Sequence, residues 1–275
     1  MSSEPERLKR EMTPELERLK QEITPEPERL KREIYRYLGF GRQMPDSAVQ
    51  ERVEACLEEL QPQLTLREVH RYFPLEWESG KGDFTGTAGK PEAAADRPSG
   101  AAGRPSAASG SSSAILRIEG MDIQSGALEK NLRGCSEVCL MAATIGFAPD
   151  RLAARASAAG QVSRAVMIQA AGAALIEAWC DQVNGIIRQE AAARGKYLRP
   201  RFSPGYGDFS LQHQEALFRI LDVQKRIGVT LTEHLLMMPS KSVTALIGLS
   251  ETDERCAPAG CESCERAESC TFRRF

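Results

Sequence analysis

Histidine is scarce in this 275-residue chain, which has only His70, His213 and His234. There is no G-x-S-x-G elbow, no H-E-x-x-H and no Walker loop, so the sequence offers no evident acid–base pair or activated nucleophile. The histidines are expected to be structural. Excess positive charge is missing too: 36 Lys and Arg stand against 38 Asp and Glu, giving a net charge of −2 and a pI near 6.1. A nucleic-acid partner is not expected from that balance. No apolar run reaches the roughly 18 residues that a membrane helix needs. The charged N-terminus lacks the apolar core of a signal peptide, and no lipidation motif is present, so a cytoplasmic location is expected. In that compartment the eight cysteines read as buried thiols and metal ligands rather than disulfides.

Residues 1–32 are expected to be a charged helical extension, and an eleven-residue repeat runs over 4–34. EPERLKREM, TPELERLKQEI and TPEPERLKREI align Leu8, Leu19 and Leu30, and also Met12, Ile23 and Ile34, at an eleven-residue spacing. That spacing is close to three helical turns, so each apolar pair returns to nearly the same face. Thr13-Pro14-Glu15 and Thr24-Pro25-Glu26 carry helix-start chemistry. With so little apolar surface, the segment is expected to be a charged extension rather than part of a core. Globular sequence runs over 33–250, with SAVQERVEACLEEL as an amphipathic helix and EVHRYFPL as an extended segment. It is interrupted by 79–113, a stretch of Gly, Ala, Ser, Pro and charge too poor in apolar side chains to offset the entropy of ordering it. That stretch is expected to be disordered.

After the insert, ILRIEGMDI and CSEVCLMAATIGF are apolar and β-branched enough to form strands. A long helix is expected over about 151–194, with a break at Gly160. Ile168, Leu175, Trp179, Val183 and Ile186 make its bulky face, while Glu177 lies on the other side among small residues. A carboxylate there is either half exposed at the domain edge or lines a pocket where an arginine or a cationic ligand keeps it charged. LQHQEALFRILDVQKRIG reads as one helix stopped by Gly228, followed by two β-patterned runs, VTLTEHLLMM and SVTALIGLS. Strands at both ends with helices between do not alternate as a parallel βαβ fold requires. The pattern predicts an α+β fold, a twisted and mainly antiparallel sheet with long flanking helices.

Between the long helix and the last one stands RPRFSPGYGD, residues 199–208. Pro204-Gly205 prescribes a turn of defined shape beside two arginines. The segment 251–275 is rich in cysteine: Cys256, Cys261, Cys264 and Cys270 follow a C-x4-C-x2-C-x5-C pattern. This spacing suits tetrahedral sulfur ligation of zinc or of an iron–sulfur cluster and does not choose between them. Cys56, Cys135, Cys139 and Cys180 lie in apolar segments and are expected to be ordinary buried thiols.

RFSPGY, followed by a helix and by TLTEHLLMMPSKSV, together with LRGCSEVCLMAATIG and ALIEAWCDQ, resembles the reactivation domain of cobalamin-dependent methionine synthase. These segments stand in the family's order, and the similarity spans roughly 33–78 and 114–250. The resemblance implies that the domain binds S-adenosylmethionine as cosubstrate and takes part in methionine synthase, a methyltransferase, by supporting reductive methylation of cob(II)alamin. The cobalt itself then acts as the nucleophile, so no acid–base pair is required of the protein. Carried over by motif, the ligand-binding residues are Glu177, Arg201, Ser203, Gly205 and Tyr206, with no catalytic residue. The family's tyrosine after the final strands has no match in SETDERCAPAG. Without accompanying synthase modules, the resemblance implies a free-standing form. Its expected partners are a cobalamin-binding synthase core in trans and an electron donor such as flavodoxin or ferredoxin. The alternative is a non-catalytic corrinoid-protein partner or electron-transfer adaptor that uses the cysteine site.

Overall fold

The computed structural model describes residues 27–41, 43–78 and 114–253. The repeat up to residue 26, the insert 79–113 and the four tail cysteines lie outside the described residues.

The centre of the fold is a four-stranded antiparallel sheet in the order β1 (Arg67–Pro74), β5 (Cys135–Thr144), β9 (Ser242–Ser250), β6 (Tyr197–Leu198). The continuous apolar runs of β5 and β9 arise because both faces of the sheet are covered. Cys139, Met141 and Ala143 of β5, with Ala245, Ile247 and Leu249 of β9, point to one core. Val138, Leu140 and Ala142, with Leu246, point to another.

The first core is helical. It contains α1 (Pro27–Tyr37), α2 (Ser47–Leu60), α4 (Ala148–Ala158) and α5 (Val162–Ala192). α2 is capped by Asp46, whose carboxylate accepts from the Val49 amide at 2.8 Å. It buries Val53, Cys56, Leu57 and Leu60, the stripe expected of an amphipathic helix. α4 and α5 take the place of one long helix, and the chain breaks between them at Gly160. The small residues Ala165, Ala170, Ala171 and Ala174 allow α5 to approach its neighbours closely, while Ile168, Leu175, Trp179, Val183 and Ile186 are all buried. Trp179 also donates its indole N–H to the Arg67 carbonyl at 3.1 Å, joining α5 to the start of β1.

On the second face, a three-stranded sheet of β2 (Glu76–Glu78), β3 (Ile115–Ile118) and β4 (Met121–Ile123) packs with α6 (His213–Leu221) and α7 (Val223–Ile227). The short helix α3 (Gly126–Asn131) follows β4, and a two-stranded hairpin, β7 (Thr230–Leu231) with β8 (Met237–Met238), precedes β9.

Some expectations need correction. The third repeat unit is not a solvated extension: Leu30, Ile34 and Tyr35 of α1 are buried in the helical core. The helix expected to run unbroken to Gly228 divides at Asp222, whose left-handed backbone (φ 52°) ends α6 and begins α7. VTLTEHLLMM forms only the two short strands of the hairpin, because residues 232–236 make its loop. Of the thiols, Cys56, Cys139 and Cys180 are buried, whereas Cys135 is half-buried.

The histidines have structural surroundings. His70 lies on the helical side of β1, with Nδ1 2.9 Å from Glu68 Oε2 and Nε2 3.2 Å from Glu190 Oε2. Tyr72 donates its hydroxyl to the same Glu190 oxygen at 2.7 Å. His213 stacks on Phe209 with ring centroids 5.3 Å apart, and its burial lowers its pKa. His234 is exposed in the hairpin loop.

Candidate functional site

Glu177 and Asp181 are four residues apart on α5, so their side chains rise from the same face one turn apart. Across from them the chain leaves β6 and continues along β9: the Arg199 amide donates to the Gly248 carbonyl at 2.8 Å. Phe202 and Leu246 exchange backbone bonds of 2.9 and 2.8 Å. This edge pairing delivers Arg201 to α5. Its Nη2 donates to Asp181 Oδ1 at 2.9 Å and to Glu177 Oε2 at 3.3 Å. Arg29 of α1 adds a second guanidinium, donating to Asp181 Oδ2 at 3.4 Å.

These ion pairs are partly wet. The Arg201 side chain is 20% exposed and that of Glu177 41%. Even so, Nη1 of Arg201 is buried and has no hydrogen-bond partner among the described residues. A buried guanidinium nitrogen without an acceptor is costly in a folded protein. The cluster therefore presents one orphaned donor beside two carboxylates.

The turn begins two residues further on. Tyr206 donates its amide to the Ser203 carbonyl at 3.2 Å, closing Ser203-Pro204-Gly205-Tyr206. Proline second and a glycine at φ +94° third are the requirements of a type II turn. The Gly205 amide donates to the Phe209 carbonyl at 2.8 Å and the Phe209 amide to the Tyr206 carbonyl at 3.0 Å. Pro204 is buried and Ser203 half-buried, whereas Tyr206 is 66% exposed. Its ring lies 6.5 Å from that of Phe202, so the turn displays an aromatic face outward.

Glu177 and Arg201 are thus in direct contact, and Ser203, Gly205 and Tyr206 form the turn that follows. Asp181, Arg29 and Asp208 were not anticipated from the sequence. Asp181 is signalled only by its spacing of four from Glu177. Cys180 lies between the two carboxylates in sequence but faces inward, and burial pushes its thiol up to about 12. It is an inert packing group. A depression at the Arg67–Thr144 end of the β1–β5 pair, lined by Gln63, Thr65, Phe147 and Arg151 among others, contains none of the predicted residues.

Residues 129–255 match the family model described as the vitamin B12 dependent methionine synthase activation domain. The match takes in β5, α5, the 199–208 segment and β9, the elements that build the cluster and the turn. The fold is also that of the crystal structure of the MetH reactivation domain bound to AdoHcy. The two share 15% identity over 82% of this chain and 78% of that one, with a TM-score of 0.51. Among the described residues no helix is long and apolar enough to cross a membrane, and no group of three or more His, Cys, Asp or Glu is placed to hold a metal ion.

Proposed function

We propose that the activation domain binds S-adenosylmethionine at Arg201 and the Ser203–Tyr206 turn, and that it supports reductive methylation of cob(II)alamin on a separate cobalamin-dependent methionine synthase. The observation that carries the reading is the orphaned Nη1 of Arg201. A ligand carboxylate satisfies that donor, and a planar guanidinium is suited to receive it. Glu177 and Asp181 offer anionic oxygens to the ligand's ammonium and sulfonium groups, and their contact with Arg201 holds the fork in place before the ligand arrives. Gly205 lets a ligand approach the backbone, and the exposed Tyr206 ring offers it a flat apolar surface. AdoHcy in the related crystal structure has the same adenosine and amino-acid groups.

The corrinoid on the partner supplies the chemistry, with cobalt as the nucleophile once an electron donor such as flavodoxin or ferredoxin has reduced it. The work left to this chain is placement of the cosubstrate and exclusion of water. On sequence spacing alone, the reading extends to the tail, where Cys256, Cys261, Cys264 and Cys270 would supply four thiolates to zinc or an iron–sulfur cluster.

Calorimetric titration of the intact protein with S-adenosylmethionine tests the binding half of the proposal. Saturable heat with a one-to-one stoichiometry is expected. Absence of heat at millimolar ligand would remove the site assignment.

A further inference from the structure

Ser203, Gly205 and Tyr206 are useful to a ligand only if the turn holds one pose, yet Gly205 and Tyr206 are exposed and the turn's backbone hydrogen bonds reach no further than Phe209. Its position is therefore set at its two ends. At one end Phe202 is tied to Leu246 of β9. At the other stands Asp208, whose carboxylate reaches across to the start of α3. Oδ1 accepts from the Ser125 hydroxyl at 2.5 Å and from the Ala127 amide at 3.1 Å, while Oδ2 accepts from the Gly126 amide at 2.8 Å. Ser125 in turn accepts from the Leu128 amide at 3.0 Å, so the anchor is itself held by the helix. The same helix touches the near side of the segment through Asn131, which donates to the Pro200 carbonyl at 3.3 Å.

Gly207 shows how closely the parts meet. Its φ is +56°, and a Cβ built there would stand 3.0 Å from the Ala127 Cβ. A side chain at this position would push the turn off α3. The hydrogen bond from Ser125, with those from the two amides, holds the Asp208 carboxyl below its ordinary range, as expected for an anion fixed by several donors.

We infer that Asp208 is a positioning residue: its carboxylate latches the Ser203–Tyr206 turn onto α3 and thereby sets the affinity of the site for S-adenosylmethionine. The inference rests on the binding proposed above. Asp208 touches neither Arg201 nor its carboxylates in this structure, so it acts through the turn. Asparagine is the informative replacement, because it keeps the size but directs an NH2 group at a site that needs only acceptors.

The test uses the full-length protein as wild type, Asp208→Asn, Tyr206→Ala and the double variant. Calorimetry with S-adenosylmethionine is combined with hydrogen exchange of the turn amides. Asp208→Asn is expected to raise Kd about tenfold, consistent with loss of charge-assisted bonds, with the thermal midpoint little changed. In the Tyr206→Ala background the same change is expected to add less than about twofold, because the two act through one turn. The amides of Gly205, Tyr206 and Phe209 are expected to exchange about tenfold faster in Asp208→Asn. If wild type binds and Asp208→Asn binds equally well, or if the two substitutions multiply, the inference is overturned while the site assignment stands. If wild type does not bind, the proposed function fails, and the exchange measurement alone decides: unchanged protection of the turn overturns the latch.

Discussion

Replacing His70 by glutamine removes the imidazole that lies between Glu68 and Glu190 on the helical side of β1. Burial by itself would lower the pKa of this imidazole. The hydrogen bonds to Glu190 and Glu68 outweigh that effect and raise it from an ordinary 6.5 to about 9. A difference of this size corresponds to about 3 kcal/mol of folding stability. The sign follows from the upward shift. Below about pH 6.5 the imidazole is protonated in both folded and unfolded chains, and the full contribution is present. It declines as pH rises and is gone above about pH 9. Glu190 behaves oppositely: its pKa is lowered, first by the bond from His70, so its share is lost as pH falls through its folded value. Urea denaturation of wild type and His70→Gln at about pH 6, 7.5 and 9.5 reads the difference directly. The gap between the two proteins is expected to be about 3 kcal/mol at pH 6 and to shrink nearly to zero at pH 9.5. A gap that stays constant across this range would refute the doubly bonded imidazolium.

Other expectations follow from the same geometry. Arg201→Ala is expected to weaken S-adenosylmethionine binding by about 1.5–3 kcal/mol, the range for hydrogen bonds to charged groups, as read by calorimetry. Its effect on thermal stability is expected to be small, because the lost ion pairs are partly exposed. Trp179→Ala empties a fully buried position and strands the Arg67 carbonyl, so a loss of about 3–5 kcal/mol is expected in denaturant titration. Anaerobic purification followed by metal analysis and visible spectroscopy is expected to find either one zinc or iron with sulfide. Substitution of Cys261 and Cys264 is expected to abolish that content, and a metal-free protein with all eight thiols titratable would refute the tail site.

The parts of the fold legible in the sequence are those fixed by local chemistry. The unbroken apolar runs of β5 and β9 announce strands covered on both faces, and the Asp46 cap with its following stripe announces α2. The features that were hidden depend on distant partners. Leu30 and Ile34 look like Leu19 and Ile23 in the neighbouring repeat unit. Their burial is decided by the helical core against which α1 packs. Asp222 carries no local sign of a helix break, since its left-handed backbone is imposed where α6 and α7 both bury residues against the sheet. Within the site, the Pro-Gly turn and Glu177 could be read from sequence. Asp181 as the nearer partner of Arg201, and the reach of Asp208 to Ser125 across 83 positions of chain, become visible only when the sheet edge and α3 are in place.

The central claim is the proposal that this domain supports reductive methylation of cob(II)alamin with S-adenosylmethionine. The direct measurement mixes the protein with a reductant and a corrinoid-bearing methionine synthase fragment in the cob(II)alamin state, and follows visible absorption. Conversion to the methylated cofactor is predicted only when both this protein and S-adenosylmethionine are present, and it should slow markedly with Arg201→Ala. Conversion that proceeds equally well without the protein would contradict the account.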